Sequence, residues 1–331
     1  MADYVSTTVN WDTIRSITHP KVSKKIADNI TQKIPLLYFL NKMGNKEYES
    51  GGTNYVLPVM KSLPTGQSYN GNTVLDTVEA DPTTVATYER KLLTVPVVAT
   101  GTKMLQNSGN NPEAIVNYLA HIVENAEEGM KDTMAGTVDG IMSANSESDT
   151  GITGLRNMLT DSTTTGTTGG LSRATYSFWR HNSDSVATGW NTDGMQSMRS
   201  LFFACVRGDE APSIIIMTQA SYINFDRFLT GTVSYNTPSP KVAFNDYGAE
   251  MLFFRGVPVI FDYYMTAQRA LMLNLKYLKL LVHSDRDMVI RDWITPTNQD
   301  SIVARIYWAG NLVCNNLARQ GILQGLPDTW A

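Results

Sequence analysis

Residues 111–145, NPEAIVNYLAHIVENAEEGMKDTMAGTVDGIMSAN, limit what this chain can become more than any other stretch. Asn111 suits the cap of a helix, Pro112 fills the first turn without losing a hydrogen bond, and Glu113 meets the positive end of the helix dipole. Ile115, Leu119, Ile122, Ala126, Met130, Met134, Thr137 and Ile141 then recur every three or four residues. Glu124, Glu127, Asp132 and Asp139 stay mostly off that stripe. The pattern predicts one helix over 112–145, about 50 Å long and well beyond the usual three turns. Gly129, Gly136 and Gly140 each cost roughly 1 kcal/mol relative to Ala inside a helix. Their spacing places them along one edge of the stripe, which predicts a shallow channel for a close backbone contact. The plain alternative is a long core helix that tolerates three poor residues; a strut lying across a sheet fits the rest of the chain better.

With 331 residues, the chain has room for about two domains. Its 42% apolar and 18% charged content belongs to a globular protein with a substantial core, not a disordered one. No window holds 18 consecutive apolar residues, so no transmembrane helix is expected. The first residues, MADYVSTTVNWDTIRS, lack the basic-then-apolar pattern of a signal peptide. A net charge of −4 argues against a protein whose main work is gripping phosphate backbones. Cys205 and Cys314 lack metal-type spacing and read as buried free thiols.

In chain order, residues 1–33 have no sustained periodicity and carry isolated anchors, Trp11 and Ile14. They read as a frayed terminus or as an arm that orders only over a neighbour. Pro35 to Met43 predicts a short helix closed by Gly44. After Gly51-Gly52, Thr53 to Met60 and Val85 to Thr100 read as strands interrupted by Pro58 and Pro96, and between them Ser62 to Thr84 is polar and turn-rich. Pairing these runs makes 46–100 a long protruding hairpin, marginal by itself and in need of a neighbouring molecule. Thr160 to Gly170 reads as a mobile Thr/Gly loop, and Thr192 or Asp193 as the cap of a helix carrying Met195 to Cys205. Ser213 to Met217 reads as a buried central strand, followed by a helix capped by Thr218 over Gln219 to Leu229, and Val233 to Phe244 as a loop. Glu250 to Asp262 predicts strand, turn at Arg255-Gly256, strand. Leu271 to His283, Met288 to Ile294 and Ile302 to Trp308 add further strand material. Helices and strands mix without regular alternation, so the fold class is α+β and not a doubly wound sheet.

Chemistry is nearly absent from the pattern. His19, His121, His181 and His283 are scattered, none with a second ligand at metal spacing. Gly166 to Gly170 has no following lysine and is no P-loop, and Gly66 to Asn70 misses the nucleophile elbow. Asp285-Arg286-Asp287 reads as a solvated turn before it reads as a carboxylate pair, and Gly136 to Gly140 lacks the apolar setting of a membrane GxxxG. No catalytic, cofactor-binding or metal residue is expected, and no enzyme.

The order of features resembles the major capsid proteins of tailed bacteriophages, the HK97-type fold family. Four features carry the resemblance: the short helix with Leu36-Leu37-Tyr38-Phe39-Leu40, and Gly51-Gly52 opening a long hairpin; then a spine-like helix with the asparagine-rich start Gln106 to Pro112, and the late element Phe254 to Asp262 with paired strands at the end. The likeness is one of order and spacing across nearly the whole chain. It implies an N-terminal arm and short helix over 1–45, an extended hairpin (E-loop) over 46–100, a peripheral (P) domain of 101–180 and 281–331 with its spine helix at 112–145, and an axial (A) domain over 181–280. It also implies a virion component, assembled in the bacterial host cytoplasm: hexamers and pentamers of one chain forming an icosahedral shell around double-stranded DNA. That DNA is touched non-specifically at the inner surface, and separate scaffolding, portal and decoration proteins are possible partners. The alternatives are an encapsulin-type nanocompartment shell and, more distantly, an enzyme of unknown class. One departure stands out. Some family members cross-link through an E-loop lysine, yet Ser62 to Glu89 contains none, and Lys61 is placed at the hairpin base.

Overall fold

The computed structural model describes residues 35–64, 66–75, 81–107, 118–136, 140–144, 147, 150–232, 243–244 and 250–327. Residues 1–34 of the expected arm over 1–45, the Asn111-Pro112 helix start, Asp76 to Ala80 of the hairpin tip and most of the 233–249 stretch lie outside the described residues.

The first described element is the helix Pro35–Lys42. It buries Leu36, Phe39 and Leu40 and stops at Gly44, whose positive φ of 72° lets Met43 and Asn45 donate to the Phe39 and Leu40 carbonyls. Lys46–Glu49 then joins a five-stranded sheet as the parallel neighbour of Leu278–His283. The spine of that sheet is the long strand Ser301–Cys314, which pairs with Leu278–His283, with Val289–Ile290 and, over its first ten residues, with Lys91–Thr100. Val85 to Thr100 is therefore not one strand. It breaks at Arg90: Thr83–Glu89 pairs with Asn54–Met60 as a separate hairpin, while Lys91–Thr100 enters the main sheet. The break follows from burial, because Val97 and Ala99 are fully enclosed beneath the helix Tyr118–Ala135 and the core pulls that half inward.

That helix is shorter than its apolar period predicts. Its described part runs 18 residues, about 27 Å, and it ends at Ala135, ten residues before the predicted end. Ala126, Met130 and Met134 are buried along the predicted stripe, and Ile141 is also buried, but from a turn that folds back on the helix end. Ile141 and Met142 donate their N–H groups to the Met134 and Ala135 carbonyls at 2.8 and 2.9 Å, supplying partners to carbonyls that a helix terminus leaves free. The glycines explain the stop. A β-carbon on Gly140 would run into the backbone of Ala135 and Gly136, and one on Gly136 would overlap the Tyr264 side chain, whereas Gly129 faces open space. Two of the three glycines mark close contacts, as the spacing predicted, but at the helix end and not along one edge.

A second, seven-stranded sheet has the order Asn182–Ser185, Gly321–Gln324, Arg269–Leu273, Ile214–Met217, Val257–Phe261, Glu250–Phe254, Ala243–Phe244. Alternation along its central strand serves two cores. Ile214 and Ile216 join the large cluster that includes Met130, Ile306 and Trp308. Ile215 and Met217 join a second cluster with Met198, Phe202 and Phe225 from the helices Met195–Cys205 and Gln219–Thr232. Apolar surface on both faces is why the run SIIIM shows no polar alternation. The Arg255-Gly256 turn forms as expected, with φ of 51° and 83°. Sheet membership cuts across the sequence boundaries at 180 and 280: Gly321–Gln324 joins the sheet of the middle segment and Leu278–His283 the other.

Candidate assembly surfaces

The Asn54–Met60/Thr83–Glu89 hairpin has two unlike faces. Tyr55 lies opposite Tyr88 and Leu57 opposite Ala86, so these residues share a face, and Tyr55, Val59, Ala86 and Tyr88 are buried on it. Tyr88 donates its hydroxyl to the Cys314 carbonyl at 3.0 Å, and Thr87 donates its N–H to the Gly169 carbonyl at 2.9 Å, so the near end is docked to the body. On the other face Val56, Val85 and Met60 stand in water, Val56 at 59% and Met60 at 63% exposure. Lys61 lies not at the hairpin base, as its sequence position suggests, but at the outer end of the ladder beside Asp81 at 3.6 Å; beyond it the tip exposes Leu63, Tyr69, Leu75 and, at 89%, Val74. An isolated hairpin is marginal in water, and one that also offers apolar groups to solvent is suited to lying on another surface.

The Thr/Gly loop that supports the hairpin's inner face is held from inside. Arg173 is fully buried and donates to the carbonyls of Met158 and Asn157, both at 2.9 Å, to Thr160 Oγ1 at 3.1 Å and to His181 Nδ1 at 3.2 Å. His181 Nε2 faces the Thr160 carbonyl at 2.8 Å, so Nε2 carries the proton and Nδ1 accepts from the arginine. Burial pushes the His181 imidazole down to about 4, which keeps it neutral and able to accept. Thr160 to Gly170 is thus pinned, not loose as its composition implies. The sequence signal that reveals this is Arg173 itself, a lone cation closing a Thr/Gly run whose one other charge is Asp161.

Asp193 does not cap the helix Met195–Cys205. Its carboxylate accepts from the N–H groups of Ala187, Thr188 and Gly189 and ties the preceding loop instead; the bond from Gly189 is the leading cause of its lowered pKa. Thr218 does cap the next helix, accepting from Ser221 N–H at 3.3 Å. Asp287 belongs to a structural ion pair with Lys46 at 2.5 Å, reinforced by the Tyr48 hydroxyl at 2.8 Å, so Asp285-Arg286-Asp287 is no carboxylate pair. Cys205 and Cys314 are free and buried, and burial pushes both thiols up to about 12. Among the described residues no three His, Cys, Asp or Glu side chains gather as a metal site, and no helix is long and apolar enough to cross a membrane.

No protein-family model matches the sequence, and no curated protein matches it. Solved structures do match. The capsid of cyanophage A-1(L) superposes with a TM-score of 0.72 at 15% identity, covering 96% of this chain and 99% of that one. The SrpI encapsulin of Synechococcus elongatus PCC 7942 follows at 0.61 and 12%, covering 96% of each chain. The capsid of the native GTA particle gives 0.59 and 11%, covering 95% and 97%. End-to-end coverage at such low identity is a likeness of backbone path. The chain has the mixed α+β fold of these capsid and encapsulin shell proteins.

Proposed function

We propose that this chain is the major capsid protein of a tailed bacteriophage: a structural, non-enzymatic subunit whose copies form hexamers and pentamers of an icosahedral shell enclosing double-stranded DNA. The observation that carries the reading is the hairpin, an element docked at one end and left apolar and exposed beyond it, within a fold shared end to end with shell proteins. In this reading 1–45 is an arm laid over a neighbour and 46–100 the E-loop. The helix Tyr118–Ala135 with the five-stranded sheet is the peripheral domain, and the seven-stranded sheet with its two helices is the axial domain whose loops meet at the symmetry axes. Scaffolding, portal and decoration proteins would be separate chains, and assembly would take place in the host cytoplasm. The likeness to an encapsulin favours one second reading, a nanocompartment shell, which differs in enclosing protein cargo instead of DNA.

Negative-stain microscopy of the purified protein tests the proposal. Hollow particles, hexamers or tubes are expected, and particles recovered from the native source should hold nuclease-protected DNA; a uniform monomer at high concentration would overturn it. A second variant, lacking 65–75, should remain folded, because this exposed tip adds nothing to either core, and should fail to assemble. Normal shells from the deletion would remove the hairpin from the account.

A further inference from the structure

The hairpin tip turns at Asn70-Gly71-Asn72-Thr73, and Asn70 is the one asparagine in the sequence that is followed by glycine. The Thr73 N–H closes the turn on the Asn70 carbonyl at 3.0 Å. Two further bonds join the same pair: the Asn70 N–H donates to Thr73 Oγ1 at 3.2 Å, and the Thr73 hydroxyl donates to Asn70 Oδ1 at 2.9 Å. All four residues are exposed, and a β-carbon on Gly71 would meet nothing within 4 Å. The Gly71 N–H has no hydrogen-bond partner among the described residues. Residues 62–75 carry no charged side chain, so no carboxylate within the turn repels hydroxide and no amine within it competes as a nucleophile.

These features favour one reaction. A peptide nitrogen that loses its proton to hydroxide can attack the side-chain carbonyl carbon of the asparagine before it. Glycine impedes this least, because its backbone moves most freely and no β-carbon crowds the closing ring. The attack builds negative charge on Asn70 Oδ1, where the Thr73 hydroxyl already donates, so that bond strengthens as the charge develops. We propose that Asn70 is a self-modifying residue: Gly71 N bonds to Asn70 Cγ, the Cγ–Nδ2 bond breaks with release of ammonia, and Thr73 Oγ1 polarises the reacting carbonyl. Water then opens the cyclic imide at either of its carbonyls and leaves aspartate or isoaspartate at position 70. Amide and water are consumed, carboxylate and ammonium are formed, and no oxidant or cofactor enters. The product places the sole charge in 62–75, and its isoaspartyl form lengthens the backbone by a methylene. Asp193-Gly194 is withheld from the same ring closure, because its carboxylate already accepts from the N–H groups of Ala187, Thr188 and Gly189 and Gly194 is buried. The inference concerns the single chain and is independent of the shell reading.

Timed incubation of the dissociated full chain, followed by peptide mass spectrometry, tests the assignment. A mass gain of one dalton is expected in the peptide that holds Asn70, with aspartyl and isoaspartyl forms separating on chromatography. Hydroxylamine should cleave the imide intermediate between Asn70 and Gly71. Because the nucleophile is the deprotonated nitrogen, the rate should rise about tenfold per pH unit across the mildly alkaline range. Gly71→Ala should slow conversion about tenfold or more. Thr73→Val should slow it about threefold or more, and Thr73→Ser should restore the wild-type rate to within about twofold. All three variants should keep the wild-type circular dichroism and melting transition, since the turn belongs to neither core. An Asn70 that stays intact in the folded chain would overturn the proposal, and so would Gly71→Ala converting at the wild-type rate. A Thr73→Val chain that converts as fast as wild type, or faster, would overturn it too, because Thr73 would then be a restraint on the turn and not its activating group. Equal mass gain at several asparagines would mark general ageing of the chain and remove the special role of this turn.

Discussion

Asp262 offers the sharpest test of the fold's internal electrostatics. It follows the strand Val257–Phe261, is 3% exposed, and accepts the Tyr264 N–H through Oδ1 at 2.9 Å. Its Oδ2 is buried with no hydrogen-bond partner among the described residues. Burial pushes the carboxyl from 3.8 up to about 6. A pKa raised on folding means that the folded state disfavours the ionised form. The folded subunit is therefore relieved of the penalty below about pH 4 and loses stability progressively as pH rises through about 6. At about 1.4 kcal/mol per unit, a rise of roughly two units costs about 3 kcal/mol at neutral pH, of which about 2 kcal/mol accrues between about pH 4.5 and pH 7.5. Asp262→Asn keeps the acceptor for Tyr264 and removes the charge. Urea unfolding of dissociated wild-type and Asn subunits across this range isolates the residue, since all other carboxylates are common to both. The Asn variant should gain about 2 kcal/mol on wild type between the two pH values. Its absolute advantage at neutral pH should be smaller, because the buried amide NH₂ remains unpaired, at about 1–3 kcal/mol. Parallel stability curves would refute the assignment of a buried, protonation-sensitive carboxyl.

Gly136→Leu should destabilise the free subunit by about 1–3 kcal/mol or more, because its side chain would enter the space held by Tyr264; a variant stable alone but defective only in assembly would place the contact between molecules instead. Arg173→Met should cost at least about 3 kcal/mol and expose 160–170 to limited proteolysis, since it leaves several buried acceptors without their charged donor; unchanged protection would sink that account. Shells boiled in detergent and reductant should run as monomers near 36.6 kDa, because the hairpin supplies no lysine beyond the ion-paired Lys61, and a surviving ladder would reveal a cross-link through another residue.

What could be read from the sequence followed from how local each signal is. The Gly44 helix stop, the Thr218 cap and the Arg255-Gly256 turn depend on a few adjacent residues, and each forms as its chemistry dictates. The split at Arg90 is not local. Both halves of Val85 to Thr100 have strand character, and only the helix overlying Val97 and Ala99 distinguishes the half that enters the main sheet. The helix end at Ala135 was hidden for a related reason: Ile141 satisfies the apolar period, but it does so from a turn folded onto the helix terminus, a position with the same burial and a different backbone. Periodicity reports which residues are covered, and a covered residue need not be helical.

The placement of some buried polar residues also bears on assembly. Two buried polar side chains tie the hairpin base to distant segments: Asn311 donates to the Glu89 carbonyl and accepts the Thr153 N–H, and Tyr88 donates to the Cys314 carbonyl. These bonds converge where the hairpin, the 160–170 loop and the long strand meet, at the base of the hairpin. Such bonds suit an element that must be held rigid against a neighbour, because an imprecise base moves a distant tip by more than a contact can tolerate. Loosening that base should therefore weaken assembly before it weakens folding. Tyr88→Phe, which removes one hydroxyl and leaves the ring, tests this: it should lower the subunit's stability by only about 1 kcal/mol, yet reduce assembly by more than that loss alone accounts for, and an assembly yield that merely tracks stability would refute the rigid-lever reading.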